Sequence, residues 1–159
     1  MAAFSFHETK NIISGEGGML VVNREELVRR SEIIWEKGTN RSAFFRGEVD
    51  KYGWVDVGSS FLPSDITAAF LYGQLEHIHD IQKRRLDLWN QYANGLADLD
   101  YAGLIQTPKI PAYATNNAHM FYMVLPSGNE RRALLKFLKE RGIHAVFHYL
   151  SLHKSPFFA

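Results

Sequence analysis

The strongest constraint on this chain is the stretch from residue 64 to about residue 99. There Phe70, Leu71, Leu75, Ile78, Ile81, Leu86, Trp89, Tyr92 and Leu96 recur at roughly helical spacing. Ser64, between Pro63 and Asp65, is a good N-terminal signal. The pattern predicts one long helix or two in tandem, with Leu75, Ile78, Trp89 and Tyr92 as core or interlobe packing. The basic run Lys83-Arg84-Arg85 reads as a solvated helix face, too short for a nucleic-acid surface.

The chain divides around this helical stretch. Upstream, residues 2–7 are alternating and aromatic, which suits a strand, and Met19-Leu20-Val21-Val22 suits a second. Ser14-Gly15-Glu16-Gly17-Gly18 between them is a tight turn. Asn23 is the expected N-cap of a helix with Glu25 and Glu26 in its first turn, running to about Lys37. Residues 39–62 show little periodicity and read as a long loop, ordered by Phe44, Phe45, Tyr52, Trp54 and Phe61. Downstream, residues 103–115 hold two prolines and read as a linker. A strand over 119–125, an amphipathic helix over 129–141 stopped by Gly142, and a strand over 143–149 suggest a small α/β lobe.

Composition narrows the function classes. The 159 residues are 46% hydrophobic and 22% charged, which is ordinary for a folded domain. A net charge of +1 offers no field to recruit nucleic acid or anionic lipid. The absence of cysteine excludes disulfides and thiolate chemistry and fits a reducing cytoplasm. No apolar run approaches the ~18 residues of a membrane span, and the first residues lack the pattern of a signal peptide. Apolar segments at both ends, Phe4 and Phe6 at one and Pro156-Phe157-Phe158-Ala159 at the other, suggest that this is part of a longer chain.

Three groups of residues have chemical potential. Lys10 follows a strand and precedes a glycine-rich turn, with Ser5 on the same strand. A partly desolvated lysine there is a nucleophile toward carbonyls, and a serine hydroxyl suits an anion. On this ground alone a solvated surface charge is the better explanation of Lys10, as it is for most lysines at a strand end. The loop offers Asn40, Arg41, Arg46, Ser59 and Ser60 to phosphate or nucleotide oxygens, or is simply an exposed charged loop. His148 and His153 lack the spacing of a zinc pair, and no metal site is expected.

The string Phe4-Ser5-Phe6-His7-Glu8-Thr9-Lys10-Asn11, followed by Gly15-Glu16-Gly17-Gly18, resembles the cofactor-lysine segment of the DegT/DnrJ/EryC1/StrS sugar aminotransferases. These are pyridoxal-phosphate enzymes of fold type I. Colinear segments extend the resemblance along nearly the whole chain: Glu36-Lys37-Gly38-Thr39-Asn40-Arg41-Ser42, Gly58-Ser59-Ser60, Gln74-Leu75-Glu76, Asn117-Ala118-His119-Met120-Phe121-Tyr122 and Phe147-His148-Tyr149.

The resemblance implies an α/β fold, part of fold type I. Residues 1–63 would be a remnant of the large cofactor domain with an active-site loop. Residues 64–104 would be the interdomain helix, and 105–159 an incomplete small domain. It implies that Lys10 binds pyridoxal 5'-phosphate covalently and shuttles the proton, and that Ser5 bonds the cofactor phosphate. Asn11 and the glycines would shape the turn, although glycines there also serve a purely structural role. Ser59 or Ser60 would add a phosphate contact, because Leu62 stands where many members carry an Asn. Asn40, Arg41 and His148 would face a 4-keto-6-deoxy sugar nucleotide, with glutamate as amino donor, in a cytoplasmic homodimer serving cell-surface polysaccharide synthesis.

In the family the ring-nitrogen carboxylate, the stacking aromatic and the phosphate-binding turn lie upstream of the lysine, at positions this sequence lacks. The expectation is therefore a chain that is not a competent transaminase by itself. The alternative is a non-catalytic module that oligomerises or binds an intact homologue.

Overall fold

The computed structural model describes residues 1–158; Ala159, read above as part of the apolar C-terminal segment, lies outside the described residues. The order is β1 (Ala2–Ser5), β2 (Gly18–Val21), α1 (Glu25–Trp35), α2 (Arg41–Phe45), α3 (Asp65–Glu76), α4 (Ile78–Gly95), α5 (Ala97–Tyr101) and α6 (Gly128–Lys139), then a single 3-10 turn over Leu152–Lys154. The chain forms two compact units. One comprises Met1–Leu88 with Asn117–His119. The other comprises Trp89–Asn116 and the residues from Met120 onward.

In the first unit, β1 and β2 pair antiparallel with Ala2 opposite Val21 and Ser5 opposite Gly18. The first strand ends two residues earlier than expected, and the second keeps its length but starts one residue earlier. Arg24 rather than Asn23 stands at the N-cap of α1, with no side-chain cap. Its guanidinium Nε instead donates to the Glu26 carboxylate at 2.7 Å. The expected loop contains one short helix, α2, and is anchored where Gly38 and Gly58 meet. A Cβ on Gly58 would lie 2.2 Å from the Gly38 nitrogen, and one on Gly38 would lie 2.0 Å from the Asp56 carbonyl oxygen. Gly38 also has φ +80°, where side chains are strained. Only two glycines permit this backbone contact.

The helical stretch is two tandem helices and a short third. Ser64 caps α3 by accepting from the Thr67 N–H at 3.2 Å, as the sequence suggests. The break falls at His77, whose backbone leaves helical geometry (φ −104°, ψ 15°). Leu75, Ile78 and Tyr92, expected in packing, are 45%, 37% and 56% exposed. Lys83 and Arg84 are exposed as expected, but Arg85 is half-buried and belongs to the site below.

In the second unit, α6 matches its prediction closely. Ser127 caps it, accepting from the Glu130 N–H at 3.2 Å and donating to the Glu130 carboxylate at 2.7 Å. The strands expected over 119–125 and 143–149 do not form; a lone bridge joins Gln106 and Val124. Strand-like composition yields a strand only where a partner runs alongside; 119–125 has a single bridged residue, and 143–149 has none among the described residues. Phe121 packs instead on Tyr92 (5.5 Å) and Trp89 (5.4 Å). Arg131 lies over the Phe147 ring at 4.6 Å.

Among the described residues, the buried hydrophobic residues are Ile105 and Ala118. The apolar end segments read as buried are exposed here: Phe4 52%, Phe157 87% and Phe158 58%.

Candidate active site: the lysine hairpin

The ladder of β1 and β2 continues past the strands and narrows toward Lys10. The Phe6 N–H donates to the Gly17 carbonyl (2.9 Å), the Glu8 N–H to the Gly15 carbonyl (3.0 Å), and the Ser14 N–H to the Phe6 carbonyl (2.7 Å). The Lys10 N–H closes a turn onto the His7 carbonyl at 2.9 Å. His7 braces that turn: Nδ1 accepts from the Thr9 N–H (3.2 Å), while Nε2 lies 3.6 Å from the Glu16 carboxylate. Gly18 has a packing role, since a Cβ there would sit 2.7 Å from the Phe4 carbonyl oxygen.

The hairpin therefore presents Lys10, half-buried, and Ser5, exposed, on one continuous element. Ser5 Oγ accepts from the His7 N–H at 3.3 Å, so its own hydrogen remains available to an anion. By their chemistry, an amine suits an aldehyde and a hydroxyl suits a phosphate.

Asn11, expected at the cofactor, points its carboxamide into the chain. Nδ2 donates to Gln82 Oε1 (3.1 Å) and to the Asn117 carbonyl (2.5 Å), and Oδ1 lies 3.1 Å from His119 Nδ1. Gln82 Nε2 donates to the same Asn117 carbonyl at 2.7 Å. Arg85 donates to the next two carbonyls, Ala118 through Nε (3.3 Å) and His119 through Nη2 (2.7 Å). Gln82 and Arg85 escaped the sequence reading. A polar pair on one helix face, three apart, carries no signal until the segment it serves is known.

The loop candidates stand on a different part of the unit and are mostly engaged locally. Asn40 accepts from the Gly53 N–H through Oδ1 at 2.8 Å. Arg41 lies over the Phe45 ring at 5.1 Å. Arg46 makes paired bonds of 2.9 Å to Glu32 and one of 2.6 Å to Glu48. Those carboxylates, Glu48 foremost, push its guanidinium further toward the charged form, so Arg46 is a structural ion pair. Ser59 and Ser60 are exposed; the Ser59 backbone pairs with Ile34 (3.0 Å) and Lys37 (3.1 Å). His148 is in the second unit, exposed, its ring 4.8 Å from that of Tyr149.

The DegT/DnrJ/EryC1/StrS aminotransferase family matches the chain over residues 1–159. The fold is similar to that of the aminotransferase TlmJ from Streptoalloteichus hindustanus, with TM-score 0.81 and 23% identity over 99% of this chain and 40% of that one. It is also similar to DesV from S. venezuelae, solved in complex with a ketimine intermediate (TM-score 0.79, 29% identity, 99% of this chain and 39% of that one). A third is Spr1654 from Streptococcus pneumoniae in its PMP form (TM-score 0.77, 24% identity, 98% of this chain and 41% of that one). The chain thus spans about 40% of the length of these structures. The likeness bears out the expected fold class, a part of the fold type I architecture.

Proposed function

The chain belongs to the DegT/DnrJ/EryC1/StrS aminotransferase family, and on that premise we propose that Lys10 carries pyridoxal phosphate in the transamination of a sugar nucleotide. The observation that supports this most is the hairpin itself, which offers a half-buried amine and an available hydroxyl on one braced element. When bound, pyridoxal phosphate supplies an electron-withdrawing ring that acidifies the carbon bearing the transferred amine. Lys10 holds the cofactor through Nζ and, once released, carries the proton on the same atom. Ser5 donates Oγ–H to the phosphate. Ser59 and Ser60 offer further hydroxyls, and Asn40 and Arg41 of the same unit serve the substrate side; His148, in the second unit, is a separate substrate-side candidate.

The substrate favoured is a dTDP-4-dehydro-6-deoxyglucose type nucleotide with glutamate as donor. The intact enzyme would act as a cytoplasmic homodimer in cell-surface polysaccharide synthesis. In substrate it would resemble the dTDP-4-amino-4,6-dideoxygalactose transaminase of enterobacterial common antigen synthesis. The support is the run Asn117-Ala118-His119-Met120-Phe121-Tyr122 and the run Phe147-His148-Tyr149.

Borohydride reduction of the chain with pyridoxal phosphate, followed by peptide mapping, tests the lysine assignment. The adduct is expected on Lys10 and absent from Lys10→Ala. An adduct concentrated on another lysine overturns the assignment.

A second reading is a module that oligomerises or binds an intact homologue without catalysis. Its support is the exposed apolar surface around the loop and α3: Trp54 79%, Val57 84%, Phe61 61% and Ile66 84% exposed. Light scattering that gives a defined multimer without cofactor, together with no selective Lys10 adduct, would favour it. A Lys10-selective adduct on a monomer would exclude it.

A further inference from the structure

We propose that Asn11 is the positioning residue of the reactive lysine: its carboxamide ties the backbone beside Lys10 to Gln82 and to Asn117–His119. This rests on the assignment of Lys10 above. The hydrogen-bond chemistry allows one arrangement. The Asn117 carbonyl can only accept, so the Asn11 nitrogen must face it. Gln82 points its nitrogen at the same carbonyl, leaving Oε1 to accept the second Asn11 hydrogen. Asn11 Oδ1 then faces His119 Nδ1, which must carry the hydrogen of that 3.1 Å contact.

The segment receiving Asn11 is itself fixed. Ala118 is 5% exposed and sits at φ +50°, an uncommon backbone for alanine. Three successive carbonyls, those of Asn117, Ala118 and His119, accept side-chain donors from Asn11, Gln82 and Arg85. Lys10 is therefore held on both flanks. Its own N–H is bonded back to His7, and the next residue is bonded forward to a rigid receptor. Its base is located while its side chain remains mobile enough to carry a proton.

The test uses pyridoxal phosphate and borohydride as probe, with labelling of exposed Lys51 and Lys139 as internal controls. Asn11→Asp keeps an acceptor for His119 but puts an oxygen in place of Nδ2, facing the Gln82 and Asn117 oxygens. It is expected to slow Lys10 labelling about tenfold or more, the scale of a small misplacement of a reacting group, while nitrogen-15 spectra still report His119 protonated at Nδ1. Asn11→Ala is expected to slow Lys10 equally. The control lysines keep the parent rate in both. Should Asn11→Ala melt below the working temperature, Gln82→Met carries the same test from α4 and is expected to slow Lys10 labelling.

Lys10 labelled at the parent rate in Asn11→Asp, or in Gln82→Met, overturns the positioning role and leaves the lysine assignment standing. A parent chain that labels Lys10 no faster than the controls overturns both, and identifies the lysine assignment as the failure.

Discussion

Two irregular regions of the first unit are held by opposite means. The loop after α1 is fastened backbone to backbone. Gly38 and Gly58 touch, the Val55 N–H donates to the Gly38 carbonyl at 2.8 Å, and the Ser59 N–H donates to the Ile34 carbonyl at 3.0 Å. The segment Asn117–His119 is fastened by side chains, each of its carbonyls taken by an amide or a guanidinium from elsewhere in the unit. The first device works only if nothing occupies the space between the strands of chain. The second works only if long polar side chains arrive with the right atoms. A loop of the first kind fails by overcrowding, and one of the second kind by leaving acceptors unpaired.

Filling the first contact should have the largest effect. Gly58→Ala places a methyl 2.2 Å from the Gly38 nitrogen and 2.7 Å from the Ile34 oxygen, atoms that cannot swing aside. Urea unfolding should register a loss of about 3 kcal/mol, the upper range of overpacking. A loss below ~1 kcal/mol would mean that the two stretches separate at little cost, and the contrast between the regions would collapse.

Emptying the second comes next. Arg85→Met keeps the stem and removes both Arg85 donors to the Ala118 and His119 carbonyls. The expected loss is about 2 kcal/mol, in the range for hydrogen bonds from a charged group. Amide exchange at Asn117–His119 should accelerate while residues 53–60 keep their protection. Equal acceleration in both would show one cooperative region rather than two. Asn40→Ala is smaller. It removes a single acceptor from the Gly53 N–H, at about 1 kcal/mol by the same unfolding measurement.

These devices differ in how visible they are in sequence. Gly38 and Gly58 bracket an aromatic-rich stretch, but nothing local in the sequence says that they meet, since their contact is twenty residues apart. The Lys10 turn was legible, because strand, lysine and glycines follow in order and the ladder that braces them is local. Ser64 announced its helix for the same reason: a cap and the amide it serves are three residues apart. Ser127 caps α6 in the same way, but the sequence pattern places the start of that helix at residue 129. Gln82 and Arg85 were invisible. Their partners lie more than thirty residues away, and Arg85 sits in a basic run that reads as a solvated face. The strands expected over 119–125 and 143–149 failed for a related reason, since a strand's partner is a long-range fact. Asn11 shows the limit most plainly. Its neighbour Lys10 suggested the cofactor, whereas its carboxamide serves a segment far along the chain.

The smallest effect separates the two regions by charge. The loop is clamped by an ion pair as well as by backbone, because Arg46 bridges Glu32 on α1 and Glu48. The Arg46 hydrogen bond holds the Glu48 carboxyl below the ordinary glutamate range. With the folded value depressed, the unfolded chain binds the proton first as pH falls. The pair's contribution is therefore complete above about pH 4.5 and is lost as pH falls through the folded value. Because both groups are exposed, the effect is modest and salt-sensitive. Amide exchange across α2, corrected for intrinsic rates and followed from about pH 6 to about pH 3, should accelerate more in the parent than in Glu48→Gln. Asn117–His119, held by amides and a guanidinium on carbonyls, should follow the same curve in both proteins. If the substitution changes the acid response of that segment instead, the ion pair is not confined to the loop, and the two fastenings are not independent.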